Sequence, residues 1–140
     1  MSSEKTLILI KPDGVRRGLV GEVISRIEKK GYSVTALRMM QADRSILEKH
    51  YAEHNGKPFY EPLLEFMGSG PIVAMIAEGN RVIEGFRSLA GATDPTVAAP
   101  GTIRGDLAQD QGTKVVQNIV HGSDSPESAA REIAIFFEGK

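Results

Sequence analysis

A chain of 140 residues has the usual size of one domain and can bury a core without disulfides or structural metal. Lys and Arg number 17 against 18 Asp and Glu, a net charge of -1 with a pI near 6.3, which excludes a global field drawing the protein to nucleic acid or anionic lipid and leaves only local basic clusters open. Cysteine is absent, so disulfide scaffolds, thiolate-ligated zinc and thiol nucleophiles are excluded, and a reducing cytoplasm is compatible.

The opening Met1-Ser2-Ser3-Glu4-Lys5 lacks the charged n-region and apolar h-region of a signal peptide, and no apolar run approaches transmembrane length. A soluble, unprocessed, cytoplasmic protein is expected. Residues 6–10 are apolar and β-branched and end in Lys11-Pro12-Asp13-Gly14. They predict a buried strand that runs into a turn and sets Lys11 at its C-terminal edge. Over 20–30, Val20, Val23, Ile24 and Ile27 recur at helical spacing, with Gly31 as the stop. A second strand is expected over 33–41. Asp43 caps a polar helix over 44–53, and Leu63, Leu64 and Met67 give 60–67 the spacing of another.

Gly70-Pro71 marks a turn before a continuous apolar strand over 72–77, and Gly79-Asn80 turns into a helix over 81–90. Residues 91–113 hold Thr93-Asp94-Pro95, Ala99-Pro100-Gly101 and Gly112 and predict a long irregular loop, a length that in a compact domain points to function. A strand is expected over 114–120. The last helix opens on Ser125-Pro126-Glu127, with Ser as cap and Pro at the first helical position. The order β-α-β-α-α-β-α-loop-β-α fits a ferredoxin-like α+β sandwich, a four-stranded antiparallel sheet with helices packed on one face. No repeat or low-complexity linker divides residues 1–140, so one domain is expected.

Three histidines carry candidate chemistry. His50 and His54 are four apart and would share a helix face, as zinc ligands do. Tyr51, however, stands where H-E-x-x-H requires its general-base Glu. No third ligand is near in sequence, so both read as surface or helix-packing imidazoles. His121 instead falls at the end of a predicted strand, just before a helix cap. An unperturbed imidazole titrates near about pH 6.5 and is largely unprotonated and nucleophilic at neutrality, provided that something orients it. Glu132 lies on the last helix beside the apolar positions Ala129, Ile133 and Phe136, an awkward place for a carboxylate without a partner. An imidazole N–H would satisfy it. On spacing alone, a structural histidine in a polar turn accounts for His121 more readily.

Familiar phosphate signatures are missing. Gly56-Lys57 and Gly139-Lys140 lack the remainder of a P-loop, and no G-x-G-x-x-G opens a helix. A G-x-S-x-G elbow is absent too, and no carboxylate pair stands out for glycosidase chemistry. The chain offers instead scattered cations and donors: Lys11, Arg87, Thr93 and Arg104. Taken singly each reads as a solvated surface group. Gathered by the fold they would clamp a phosphoryl group, whose transfer needs mainly positioning and positive charge.

The segment N-I-V-H-G-S-D over 118–124 closely resembles the nucleoside diphosphate kinase signature N-x-x-H-[GA]-S-D. The resemblance runs over nearly the whole chain, through T-L-I-L-I-K-P-D-G, H-Y-A-E-H-N-G-K-P-F-Y, S-G-P, T-D-P, P-G-T-I-R-G-D and S-P-E-S-A-A-R-E-I. It implies a ping-pong transfer of a γ-phosphate between nucleotides through a phosphohistidine at His121. It further implies that Lys11 and Asn118 lie near ribose and phosphates, with Arg87, Thr93 and Arg104 on the phosphates. Phe59 matches the aromatic on which the base stacks, Tyr51 the tyrosine bordering the histidine, and Glu132 the carboxylate orienting it. Base recognition by stacking would tolerate purines and pyrimidines alike.

Magnesium is the implied ion, held mainly by phosphates and water, with Asp124 as an outer-shell carboxylate. The family forms dimers that build tetramers or hexamers. The loop around Pro100 resembles the one used for trimer contacts, which favours a hexamer, although the longer segment after Asp106 and the tail from Phe137 to Lys140 could alter it. The chain departs from the family pattern between Asp106 and Asn118, where it is about four residues longer and has Val116-Gln117 in place of a Gly-Arg pair. Counting back from Asn118 puts Val115 over the base; counting through the longer segment puts Val116 there. Two rivals share this fold or site. An RNA-binding module is disfavoured by the absence of an aromatic-rich strand and of basic charge, and a nucleotide sensor without catalysis is disfavoured by the presence of the full catalytic set.

Overall fold

Two continuous apolar runs, Leu7–Ile10 and Ile72–Ala77, have no polar alternation, and a strand of that kind must be covered on both faces. The computed structural model describes residues 3–137; the Gly139-Lys140 pair and the end of the tail lie outside them. The runs become β1 (Glu4–Ile10) and β3 (Ile72–Gly79), the two central strands of a sheet ordered β2-β3-β1-β4. Its outer strands are β2 (Ser33–Met40) and β4 (Val120–Gly122). Every pairing is antiparallel, so the fold is the expected ferredoxin-like α+β sandwich.

Helices cover both faces of the sheet, where one was expected, because β1 and β3 alternate their apolar side chains to both sides. On one side Ile8, Ile10, Val73 and Met75 pack with residues of α2 (Val20–Lys30), α5 (Val82–Ala90) and α6 (Ile103–Leu107). On the other, Leu7, Leu9, Ala74 and Ile76 pack with α3 (Arg44–His50), α4 (Tyr60–Met67) and α7 (Pro126–Phe136). A short helix α1 (Pro12–Arg16) replaces the turn expected after β1, and α6 lies inside the stretch expected to be irregular, capped by the Thr102 side chain. The expected caps form: Asp43 accepts from the Ile46 N–H and Ser125 from the Ser128 N–H, and Gly31 ends α2 at φ 109°. Among the described residues no helix is long and apolar enough to cross a membrane.

Two expected elements change. The helix expected to reach residue 53 stops at His50, and Ala52–His54 forms a separate 3₁₀ turn, so His50 and His54 do not share one α-helical face. The strand expected over 114–120 is confined to Val120–Gly122. A strand needs a partner, and β1 stops offering one at Ile10: the last rung is Lys11 N–H to Ile119 C=O at 2.7 Å, and Pro12 then begins α1. Residues 108–118 are therefore irregular, and His121 sits in the middle of a short edge strand.

Candidate active site

Cross-strand partners share a face. His121 pairs with Leu9, whose side chain belongs to the face covered by α3 and α7, so the imidazole is aimed between those helices. There its Nε2 lies 2.9 Å from Glu132 Oε1 on α7. The Ser123 hydroxyl donates to the same oxygen at 2.7 Å and accepts from the Leu7 N–H at 3.1 Å, tying the carboxylate to the central strand. Glu132 is 5% exposed. Burial pushes its carboxyl up, but the hydrogen bond and charge of His121, with the Ser123 hydroxyl and His50, outweigh it and hold the group below the usual carboxylate range. An ionised carboxylate only accepts, so Nε2 carries the proton and Nδ1 keeps its lone pair.

His50, at the end of α3, is buried against this pair, with its ring 4.8 Å from that of His121 and nearly perpendicular at 82°. Burial, then the neighbouring His121, push its imidazole down to about 3, so it stays neutral. The sequence left His50 as a surface or helix-packing imidazole without a third ligand nearby; it is buried and packs against His121 and Glu132, and ligand-type atoms of the three lie within 4.8 Å of one another. Tyr51 borders the same site, its hydroxyl pushed up by burial and then by Glu132, so it remains a neutral phenol.

The histidine opens into a cavity of about 470 Å³ whose lining includes Lys11, Arg87, Thr93, Arg104, Asn118 and Asp124. Each arrives from a different element: Lys11 from the end of β1, Arg87 from α5, Arg104 from α6. Asn118 is the bracket. It accepts from Lys11 Nζ at 2.9 Å and donates to the Thr93 carbonyl at 2.9 Å. Arg104 spans three backbone carbonyls, Asn118, Gly91 and Val120, at 3.3, 2.9 and 2.7 Å. None of the three cations has an ion-pair partner among the described residues. Burial and then Arg87 lower Arg104 to about 10. Burial and then Arg104 lower Lys11 to about 8, against the opposing carboxylate of Asp13. Cations that repel one another in a half-buried cup call for an anion.

Two expected base contacts are not brought into the cavity lining, Phe59 and Val115. Phe59 is 40% exposed beyond the rim, edge-on to His54 at 5.1 Å, with Lys57 Nζ 5.8 Å from its ring. Val115 and the more exposed Val116 lie in the irregular segment before Asn118. Sequence reasoning missed Ser123, which the S of the signature could have flagged, and Asp13, whose carboxylate accepts from the buried Ile119 N–H at 3.1 Å. No local signal places Asp13 beside Ile119.

The model of the family described as "Nucleoside diphosphate kinase" matches residues 4–140. A protein of that name from Streptomyces avermitilis is 61% identical over 139 residues, covering 99% of this chain and 98% of the relative. One from Thermobifida fusca is 60% identical over 134 residues, 96% of each. Among solved structures, a halophilic nucleoside diphosphate kinase from Halobacterium salinarum in complex with CDP superposes with a TM-score of 0.91 at 45% identity, covering 98% of this chain and 89% of that one. A family protein from Babesia bovis gives 0.87 at 44% identity, covering 96% and 88%.

Proposed function

Because the chain belongs to the nucleoside diphosphate kinase family and so passes the γ-phosphate of a nucleoside triphosphate to a nucleoside diphosphate by way of a phosphohistidine, we propose that His121 Nδ1 is the nucleophile and that residues 1–140 work as one catalytic domain. The observation that carries this reading is the Ser123–Glu132–His121 chain of hydrogen bonds ending at an imidazole that shares a cavity with three cations unpaired among the described residues. Nδ1 attacks the γ-phosphorus in line and forms the P–N bond. The bond to the bridging oxygen breaks, and its electron pair leaves with the diphosphate. Lys11, Arg87 and Arg104 stabilise charge on the phosphoryl oxygens and the leaving group, with Thr93 and Asn118 holding the nucleotide. An acceptor diphosphate then attacks the phosphorus, and the P–N electron pair returns to Nδ1.

Glu132 is committed to His121, and Glu53 on the rim faces Arg131 at 3.9 Å, so Asp124 is the carboxylate left for a cation, suited to an outer-shell role. Magnesium, when bound on the phosphates, neutralises their charge. Phe59 offers a stacking face and Val115 an apolar cover for the base, as the CDP-bound halophilic relative encourages for pyrimidines too. Leu37 and Met39, 50% and 58% exposed on the edge strand β2, and Val97, 68% exposed before Pro100, fit a homo-oligomer, with a hexamer favoured, in the cytoplasm. Light scattering on the eluting protein tests the assembly. The catalytic reading is tested by incubation with γ-labelled ATP: an acid-labile, alkali-stable label is expected on His121, chased off by a diphosphate acceptor. Label on any other residue would exclude it.

Two further outcomes follow from the electrostatics. Glu132→Gln keeps a hydrogen-bonding group beside Nε2 and Ser123 but removes the charge that compensates the imidazole as it bonds to phosphorus. The phosphorylation rate should fall roughly 10- to 100-fold with little change in KM; an unchanged rate in rapid-quench measurements would dismiss the orienting role. Lys11 is charged below about 8 and neutral above it. On its alkaline side the kcat/KM of the wild type should therefore fall as pH rises through about 8. In Lys11→Arg, whose charge does not titrate there, that limb should vanish from the remaining activity; its persistence would assign it to another group.

A further inference from the structure

Ile119 lies two residues before the nucleophile, directly after Asn118, and its backbone is in a region that β-branched residues avoid: φ is +73°. The Val120 N–H bonds the Asn118 carbonyl at 2.8 Å across it, so residues 118–120 form the strained kind of γ-turn. Such strain persists only where the surroundings over-determine it. Here they do. The Ile119 carbonyl accepts from the Lys11 N–H at 2.7 Å, and Arg104 holds the carbonyls on either side of it. The side chain is fully buried, against a glycine whose missing Cβ would stand 2.9 Å from Ile119 Cγ2, Gly14. What remains is the Ile119 N–H, and its partner is not backbone but the carboxylate of Asp13, Oδ2 at 3.1 Å.

Asp13 is 4% exposed, and its other oxygen, Oδ1, is buried without a hydrogen-bond partner among the described residues. A carboxylate so placed is costly to bury, although the first turn of α1, where it stands, favours an acid. It bonds the strained turn, faces Lys11, and lines a groove with the exposed Arg16 and Arg17. We propose that Asp13 is a positioning residue for phosphoryl transfer, a latch on the γ-turn at Ile119 that sets Asn118, and through it Lys11, in fixed relation to His121. Asp13 touches neither substrate nor nucleophile. It acts through the bend between them, and a shift of about 1 Å in such a frame costs on the order of 100-fold in rate. The carboxylate also faces Lys11 and favours its charged form, opposed by Arg104 on α6. Across the cavity stand Arg87 of α5, His50 of α3, His121 of β4 and Glu132 of α7.

The inference rests on His121 as the phosphorylated residue, and one experiment separates the two. Rapid-quench phosphorylation by γ-labelled ATP is followed from about pH 6.5 to 9.5 in the wild type, Asp13→Ala, Asp13→Asn and the double variant Asp13→Ala/Ile119→Gly. Asp13→Ala should phosphorylate on the order of 100-fold more slowly, with its alkaline limb moved to lower pH because Lys11 has lost a facing carboxylate. Asp13→Asn, whose amide oxygen still accepts from Ile119, should recover most of the rate but show the same displaced limb. Glycine adopts positive φ without strain, which relieves the turn in the double variant but also removes the buried Ile119 side chain, so its rate is read per folded molecule, and it should stay slow. Wild-type rates per folded molecule in the double variant, or an unmoved limb in Asp13→Asn, overturn the latch while leaving His121 as nucleophile. A wild type that labels elsewhere than His121 overturns both.

Discussion

His121→Ala should yield a folded protein that takes up no label from γ-labelled ATP and turns over at least roughly 10⁴-fold more slowly than the wild type, since removal of a covalent nucleophile leaves only binding and electrostatic contributions. The fold should survive because the imidazole stands on an edge strand of three residues and its side chain is 21% exposed. His121 is paired with Leu9 in the β4–β1 ladder, but that pairing is made by backbone and does not need the imidazole. One local consequence is expected. Glu132 loses the largest of the groups that hold its carboxyl down, and although the Ser123 hydroxyl, His50 and Arg131 at 3.7 Å remain, its titration should move upward. Label retained in the variant would remove His121 from the mechanism. Loss of label together with loss of the cooperative thermal transition would point to a structural role instead.

Arg104→Ala should damage both rate and stability, which distinguishes it from Arg87→Ala. A guanidinium has five N–H donors. In Arg104 three go to the carbonyls of Asn118, Gly91 and Val120, leaving one on each terminal nitrogen for a phosphate. Truncation therefore strips part-buried carbonyls of a charged donor and takes a cation from the cavity. A loss of about 2–4 kcal/mol is expected, a Tm lower by roughly 10 °C, and kcat/KM lower by roughly 10³-fold. Lysine cannot span three acceptors, so Arg104→Lys should recover charge without recovering stability. Arg87 lines the same cavity without hydrogen bonds to backbone; its removal should slow the reaction with little thermal effect. Equal melting temperatures for the two alanine variants would contradict the structural half of the argument.

The legibility of the chain varied with the range of the interactions involved. Gly31, Asp43 and Ser125-Pro126 marked helix ends because capping and breaking act within one turn of the chain, and the structure uses them as expected. The strand expected over 114–120 was misread because β propensity reports side chains that suit a sheet and says nothing of where a partner strand ends. Similarly, α6 hides in a stretch rich in Gly and Pro; it is five residues long, and its packing on α5 and the sheet compensates for a sequence that would not hold a helix alone. His50 was legible only as a surface or helix-packing imidazole, and what it packs against was not legible at all.

By itself the sequence determined the order and type of the main elements, the apolar strands that must be covered, the absence of thiol chemistry and, through its resemblance to nucleoside diphosphate kinases, the family, which implies His121 as the nucleophile. These follow from local physics or from an ordered set of motifs, both of which are written along the chain. The tertiary structure alone decided that Glu132 and Ser123 converge on Nε2 and leave Nδ1 free. It also decided that three cations without an ion-pair partner among the described residues share one cavity, and that the Asp13 carboxylate bonds a strained turn 106 residues further along the chain. Partners so far apart in sequence meet only because β1 and β4 pair antiparallel at the sheet edge, bringing the K-P-D-G turn beside the segment that carries Asn118 and His121.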